Sequence, residues 1–187
     1  MSEADRQKWN TRYAQDGAPE QPSGLIRSLD AELPRQGRAL DIGGGGGRHA
    51  LWLAKRGLSA TVADISERAN AIATLAAQKA ALPLAVLNID FDTQPFPQGP
   101  WDLLLSFHYL WRPLFSIAPQ VLAPGGILVF VQPTLKNLER HSKPSAGFLM
   151  REGEARSLAQ GLEILRYDEG WLSEGRHEVR MIARKNA

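Results

Sequence analysis

The sequence predicts an α/β fold: an open sheet, mostly parallel with an antiparallel C-terminal strand, and helices on both faces. Three observations lead there. Short apolar runs alternate with helical periodicity through the middle of the 187-residue chain, the pattern of strand–helix–strand units. The first run opens into five consecutive glycines, Gly43 to Gly47, directly before a helical segment. Two apolar runs near the end are joined by a stretch short enough for an antiparallel return.

Taken in order, residues 39–42 form the first strand, and residues 48–56 read as a helix stopped by Gly57. A second strand, 58–63, closes at Asp64; Ser66 caps an alanine-rich helix from Glu67 to about residue 81, and Pro83 marks its end. Residues 84–89 are a third strand, separated by the turn-rich stretch 93–100 from a fourth at 101–106. Arg112-Pro113 starts a helix reaching about residue 122 and interrupted or kinked near Pro119. Pro124-Gly125-Gly126 reads as a turn before the strongly β run 127–131. A polar connection over 134–146 and a short helix over 152–160 lead to the closing strands, 162–167 and 178–183. Five β–α steps and an antiparallel pair result, with ligands expected at the carboxyl ends of the early strands.

With hydrophobic residues at 43% and charged residues at 22%, the chain has the composition of one folded domain, 1–187, not of a disordered or collagen-like chain. Residues 1–36 form an N-terminal helical cap region and 37–187 the α/β core. Cysteine is absent, which excludes disulfides, thiolate metal sites and a cysteine nucleophile; no metal is expected. The amino terminus lacks a signal-type apolar core and no apolar run approaches the roughly 20 residues that span a bilayer, so a cytoplasmic protein without membrane contact is expected. Lys and Arg total 22 against 20 acidic residues, too even a balance to gather nucleic acid. A late stretch holding Lys136, Arg140, His141, Lys143, Arg151 and Arg156 is either a solvated loop or a lid over an anionic ligand.

A glycine-rich turn between strand and helix lets backbone approach a ligand where a side chain would collide. In either frame the dinucleotide pattern puts its third glycine on Arg48 or His49, and the P-loop pattern fails because Gly47 is followed by Arg48-His49. What remains is Asp41-x-Gly43-x-Gly45-x-Gly47, an acidic residue at a strand end followed by alternate glycines.

That segment resembles the cofactor loop of the class I S-adenosylmethionine-dependent methyltransferases, a Rossmann-like family. The resemblance implies Asp41, Gly43, Gly44, Gly45 and Gly47 against the nucleoside and methionine parts of the cofactor. Asp64, 17 residues beyond Gly47 and followed by Ile65, falls where the family holds the ribose hydroxyls. Asp90-Phe91 resembles the adenine-contacting pair, and Ser106-Phe107-His108 the segment beside the methionine half. Leu122-Ala123-Pro124-Gly125-Gly126 resembles the family's turn before the fifth strand. Trp9-Asn10-Thr11-Arg12-Tyr13 resembles a cap segment whose Tyr13 reaches the methionine carboxylate, although helical packing of Trp9 on Tyr13 explains the same spacing. Residues 45–51, 108–114 and 144–154 are similar to the small tellurite-resistance-type methyltransferases.

The resemblance implies S-adenosyl-L-methionine as cofactor, S-adenosyl-L-homocysteine as product and a small-molecule acceptor: an anion, a thiol or a chalcogen compound. Because the sulfonium methyl is already activated, the protein mainly aligns donor and acceptor. His108 is the candidate general base, or else a histidine holding its loop. Arg112 sits at a helix start, where a cation gains nothing from the helix dipole; it either binds an anion or is a surface residue. With Arg140 or Lys143 it would make a cationic mouth walled by Tyr109 and Trp111. Two other readings are a cofactor-binding module without catalysis and a nicotinamide oxidoreductase, the latter weakened by the missing glycine.

Overall fold

The computed structural model describes residues 3–186; residues 1, 2 and 187, included in the expected 1–187 domain, lie outside the described residues. Every apolar run becomes a strand. In chain order the elements are α1 (Glu3–Asp16), α2 (Gly24–Ser28), β1 (Arg38–Ile42), α3 (Arg48–Lys55), β2 (Ser59–Asp64), α4 (Glu67–Ala80), β3 (Leu84–Asn88), β4 (Trp101–Phe107), α5 (Leu114–Val121), β5 (Leu122–Pro133), α6 (Glu154–Leu158), β6 (Glu163–Trp171) and β7 (His177–Arg184). Two short 3-10 turns, Leu135–Glu139 and Ala146–Phe148, lie between β5 and α6.

The strands form one seven-stranded sheet in the order β3-β2-β1-β4-β5-β7-β6. All pairings from β3 to β5 are parallel, whereas β7 runs antiparallel to both β5 and β6. Alternation along the central strands splits the core into two layers, since successive side chains point to opposite faces. Leu103, Leu105, Val129 and Val131 pack with Ile26 and Leu29 and with Ala50 and Leu53 of α3. Leu104, Leu128 and Phe130 pack on the other face with Leu114 and Phe115 of α5 and Ala155 of α6. Runs that are apolar at every position thus belong to strands covered on both sides.

The structure departs from the expected elements at four places. Helices follow β1, β2 and β4, but β3 and β4 are joined by irregular backbone over residues 89–100, so there are fewer than five β–α steps. Pro95, Pro97 and Pro100 remove the amides a helix there would need. Pro124-Gly125-Gly126 is not a turn between elements but a bulge inside β5: Trp101 pairs with Leu122, yet Leu103 pairs with Ile127. The bulge keeps its backbone partners, because the Gly125 amide donates to the Lys185 carbonyl and the Lys185 amide to the Gly126 carbonyl, each at 2.9 Å. Helix α5 continues through Pro119 and ends two residues later, so the proline interrupts nothing. The last helix shortens to Glu154–Leu158, with Gly153 in the left-handed region at its start.

Beyond β5 the chain is pinned rather than loose. Asn137 bridges the Thr134 and His177 carbonyls with its amide and accepts from the His177 amide, while the Thr134 hydroxyl meets His177 Nδ1 at 2.7 Å. Among the described residues no helix is long and apolar enough to cross a membrane.

Candidate active site

The glycine run leaves β1 at the centre of the sheet, where β1 lies between β2 and β4, and crosses to α3. Gly43, Gly45 and Gly47 all adopt left-handed backbone, with φ of 63°, 57° and 77°. Two of them have a second reason to be glycine. A Cβ at Gly43 would overlap the Tyr109 ring, and one at Gly45 would overlap the Tyr13 hydroxyl.

The acidic residues at the ends of β1 and β2 hold this loop in different ways. Asp64 accepts the Gly45 amide on one carboxylate oxygen and the Ser66 amide on the other, both at 2.9 Å, tying the loop to the start of α4. Burial raises its pKa, and the amides of Ser66, Gly45 and Ile65 work against that rise. Asp41 is only 1% exposed, and neither carboxylate oxygen has a hydrogen-bond partner. Burial lifts its carboxyl to about 7; the Ala50 amide pulls the other way without reaching hydrogen-bonding geometry, and the Asp64 charge adds to the rise.

Helix α1 lies over the loop because Asn10 staples it to α4. Its side-chain oxygen accepts from the Ser66 hydroxyl at 2.7 Å and from the Arg68 amide at 3.2 Å, and its nitrogen donates to Glu67 at 2.6 Å. Trp9 and Tyr13 then stand together on the cavity side, ring centroids 6.0 Å apart. Burial, with the Asp64 charge, pushes the Tyr13 hydroxyl up to about 12.

The space enclosed by α1, the glycine loop and the end of β4 is a cavity of about 550 Å³. Of the expected site residues it brings together Tyr13, Asp41, Gly43, Gly44, Asp64, His108 and Tyr109. Gly45, Gly47, Ile65 and Ser106 do not line it: Ile65 is buried, and the Ser106 hydroxyl donates to the Tyr109 carbonyl at 2.9 Å. Asp90 accepts the Asp92 amide at 3.0 Å, and Phe91 is buried against Phe96, Trp111 and Tyr109. The Tyr109 ring stands between the glycine loop and Phe91, and its hydroxyl is buried without a partner.

The expected cationic mouth is placed differently: Trp111, Arg112, Arg140 and Lys143 do not line the cavity. Arg112 clamps Glu154 through two hydrogen bonds, of 2.6 and 3.1 Å, Trp111 stacks on Phe96 and donates to Asp92, and Arg140 lies over the Trp171 ring. Of the two readings of Arg112, an anion binder or a surface residue, the structure shows a partly exposed side chain paired with a carboxylate of the same chain.

The cations that do line the cavity are Arg12 and Arg48. Arg48 opens α3, so the dipole argument applied to Arg112 also points to Arg48, directly after the glycines. Also absent from the sequence reading is Glu178 of β7, 2% exposed, which faces His108 Nε2 at 3.1 Å and accepts from Arg176 at 2.8 Å and Arg180 at 2.7 Å. The alternation Arg176-x-Glu178-x-Arg180 was its visible signal, because residues two apart on a strand share a face. Burial pushes the Glu178 carboxyl up, and the hydrogen bonds from His108 and Arg180 outweigh it, holding the group at about 2.

Residues 39–126 match the methyltransferase domain family. That match takes in the chain from β1 to the start of β5, the stretch that carries the glycine loop. Among solved structures, a protein described with the conversion of a disulfide bond into a thioacetal group during echinomycin biosynthesis aligns over 97% of this chain and 91% of its own, at 18% identity and a TM-score of 0.75. TehB from Haemophilus influenzae aligns over 97% of this chain and 67% of its own, at 20% identity and a TM-score of 0.72. A TehB-like S-adenosylmethionine-dependent methyltransferase from Corynebacterium glutamicum aligns over 98% and 97%, at 21% identity and a TM-score of 0.67. At these identities the likeness is one of fold, and the fold is that of the class I methyltransferases. No curated protein matches the sequence significantly.

The Corynebacterium glutamicum neighbour is S-adenosylmethionine-dependent, and the cavity of this chain has the chemistry to take such a cofactor. A Cβ at Gly43, Gly44, Gly45 or Gly46 would meet Tyr109, Asp41, Tyr13 or Ala18, so the loop stays bare backbone among the cavity's own lining residues, with the unpartnered carboxylate of Asp41 against it. Sulfonium and ammonium groups are cations that need carboxylates such as Asp41, Asp64 and Asp16; the amino-acid carboxylate needs cations such as Arg12 and Arg48. The volume falls within the roughly 300–1,000 Å³ of small-ligand sites.

Proposed function

We propose that this chain is an S-adenosylmethionine-dependent methyltransferase acting on a small-molecule acceptor that enters between α1 and the end of β4, beside His108. The observation that carries the reading is the buried, unpartnered Asp41 beneath a glycine cradle that opens on a cavity of about 550 Å³. In this reading Asp64 takes the ribose hydroxyls, and Gly43, Gly44, Gly45 and Gly47 let the backbone meet the cofactor closely. Asp41 answers the amino-acid ammonium group, Arg12, Arg48 and Tyr13 answer its carboxylate, and Asp90 and Phe91, behind Tyr109, are the adenine end with Ile65. Ser106 holds the turn that carries Tyr109 and His108. When bound, the cofactor supplies an activated methyl group; the chain supplies alignment, exclusion of water and, at His108, a place for a proton. We place the whole chain in one domain, with 1–36 as the cap.

Thermal melting with S-adenosylmethionine, S-adenosylhomocysteine and nicotinamide dinucleotide tests this. A ligand that binds only the folded chain stabilises it by about 2.7 kcal/mol at a hundred times its dissociation constant. A shift with the first two alone, abolished by Asp64→Ala, supports the reading, and thiols, oxyanions and chalcogen compounds then serve as acceptors. No shift with either removes it. Binding with no transfer to any acceptor leaves a cofactor-binding module.

A further inference from the structure

Two histidines line the cavity, and the structure gives them opposite assignments. His49, on α3, is buried against Phe107, and its Nε2 accepts the Ser23 amide at 3.3 Å. That lone pair is engaged, and burial lowers its pKa to about 3, so His49 stays neutral. His108 is held differently. Its backbone is left-handed, φ 58°, one of two such non-glycine positions among the described residues. The amide donates to the Val131 carbonyl at 2.8 Å, and the neighbouring turn is closed by Ser106 on Tyr109. A strained backbone pinned on both sides presents the imidazole to the cavity with Nε2 toward Glu178.

A carboxylate accepts and cannot donate, so the proton of the neutral ring is on Nε2 and the lone pair is on Nδ1. Arg176 and Arg180 keep Glu178 ionised: each donates its Nε to a different carboxylate oxygen. Resting on the proposed methyl transfer, we infer that Glu178 is a positioning residue. It fixes His108 in the Nε2–H tautomer so that Nδ1 accepts the proton of a thiol acceptor. As that proton moves to Nδ1, the sulfur pair it leaves forms the bond to the methyl carbon, and the pair of the broken carbon–sulfur bond stays with the departing sulfur of the cofactor. The imidazolium is balanced by Glu178 until solvent takes the proton.

A thiol suits this base better than the alternatives. The ordinary pKa values of a thiol and an imidazole, about 8.5 and 6.5, are close enough for an efficient transfer, whereas a phenol near 10 lies further off. Oxyanions and thioethers have no proton to give. The other titratable and charged groups around the cavity are Arg12, Tyr13 and Asp16 from α1, Arg48 and His49 from α3, Asp41 and Asp64 below, and Tyr109 beside it. Burial pushes the hydroxyls of Tyr13 and Tyr109 up, so neither competes as a base.

The test uses the full chain with 15N-labelled histidine and reads the tautomer of His108 by long-range proton–nitrogen NMR near pH 8, with and without S-adenosylhomocysteine. The expected state is Nε2–H in the wild type. Glu178→Gln leaves one acceptor oxygen for three donors and moves the population toward Nδ1–H; Glu178→Asp restores it. In parallel, transfer to 2-mercaptoethanol and to dimethyl sulfide is followed from pH 6 to 10. For the thiol, Glu178→Gln and His108→Asn lower kcat at least tenfold at pH 7, with the KM for the cofactor unchanged. The loss shrinks above pH 9, where the thiol ionises unaided, and at pH 7 it is at least threefold smaller for the thioether, which has no proton to give. His108→Asn leaves Glu178 between its arginines and keeps the test open if Glu178→Gln does not fold.

An Nδ1–H wild type, a tautomer indifferent to position 178, a pH-independent loss, or a wild type that binds S-adenosylhomocysteine yet methylates no thiol would each overturn the proposal. Failure of S-adenosylhomocysteine to bind the wild type would instead sink the cofactor reading, while the tautomer of the free chain still decides the role of Glu178.

Discussion

Asp41→Asn separates the cost of an unpartnered carboxylate from its use. In the folded chain the Asp41 carboxyl ionises near 7, against an ordinary value of 3.8. Between those values the folded state holds a proton that the unfolded state has lost, so stability falls as pH rises, by about 1.4 kcal/mol per unit. From pH 5 to pH 8 most of that window is crossed, and the loss attributable to Asp41 is about 3 kcal/mol. The amide of Asp41→Asn does not titrate, so urea unfolding should show a variant whose advantage over the wild type grows by that amount from pH 5 to 8. Calorimetry with S-adenosylhomocysteine should show the converse. The ligand ammonium group favours ionised Asp41, so wild-type affinity rises with pH up to about 7 and binding releases a proton, whereas Asp41→Asn binds at least tenfold more weakly above that pH. If the stability difference between variant and wild type stayed constant from pH 5 to 8, the assignment of Asp41 as a strained, ligand-directed carboxylate would be wrong.

Other expectations concern the cradle, the clamp and the acid limb. Gly43→Ala meets the Tyr109 ring and adopts a left-handed backbone that costs roughly 1–2 kcal/mol, so thermal melting should show a lower Tm and no shift with S-adenosylhomocysteine. Arg112→Ala breaks a partly exposed ion pair, and urea unfolding should register a loss of no more than about 1 kcal/mol with turnover retained, because Arg112 faces Glu154 and not the cavity. The Glu178 carboxyl is held at about 2 against an ordinary 4.5, so its stabilisation is complete above about 4.5 and is lost as pH falls toward 2. Acid unfolding of Glu178→Gln should accordingly be shallower than that of the wild type over that range.

Where sequence and structure agree, the reason is local. The strand ends at Asp41 and Asp64, the glycine run and the cap at Ser66 each follow from neighbours a few residues away, and they fix the cradle. Pro124-Gly125-Gly126 looks like a turn by the same local chemistry; only the pairing with Lys185 from the chain's far end turns it into a bulge. Arg112 shows the same limit, since Glu154, 42 residues away, decides what it binds. Asn10, which seats α1, and Glu178, which orients His108, are each defined by a partner more than 55 residues distant. No pattern of spacing carries such partners.

The antiparallel β7 is what brings residue 178 beside residue 108. The glycine loop and its Asp64 tether are complete within two consecutive β–α units, residues 38–80, but the carboxylate that faces His108 comes from a strand laid down last in the chain. A chain that has folded only its first half would have the loop that grips a cofactor without the carboxylate that tunes the base. The two halves can also diverge at different rates. Exchanging the β6–β7 hairpin for one with another residue at position 178 would change what faces His108 while leaving the glycine loop and its Asp64 tether untouched.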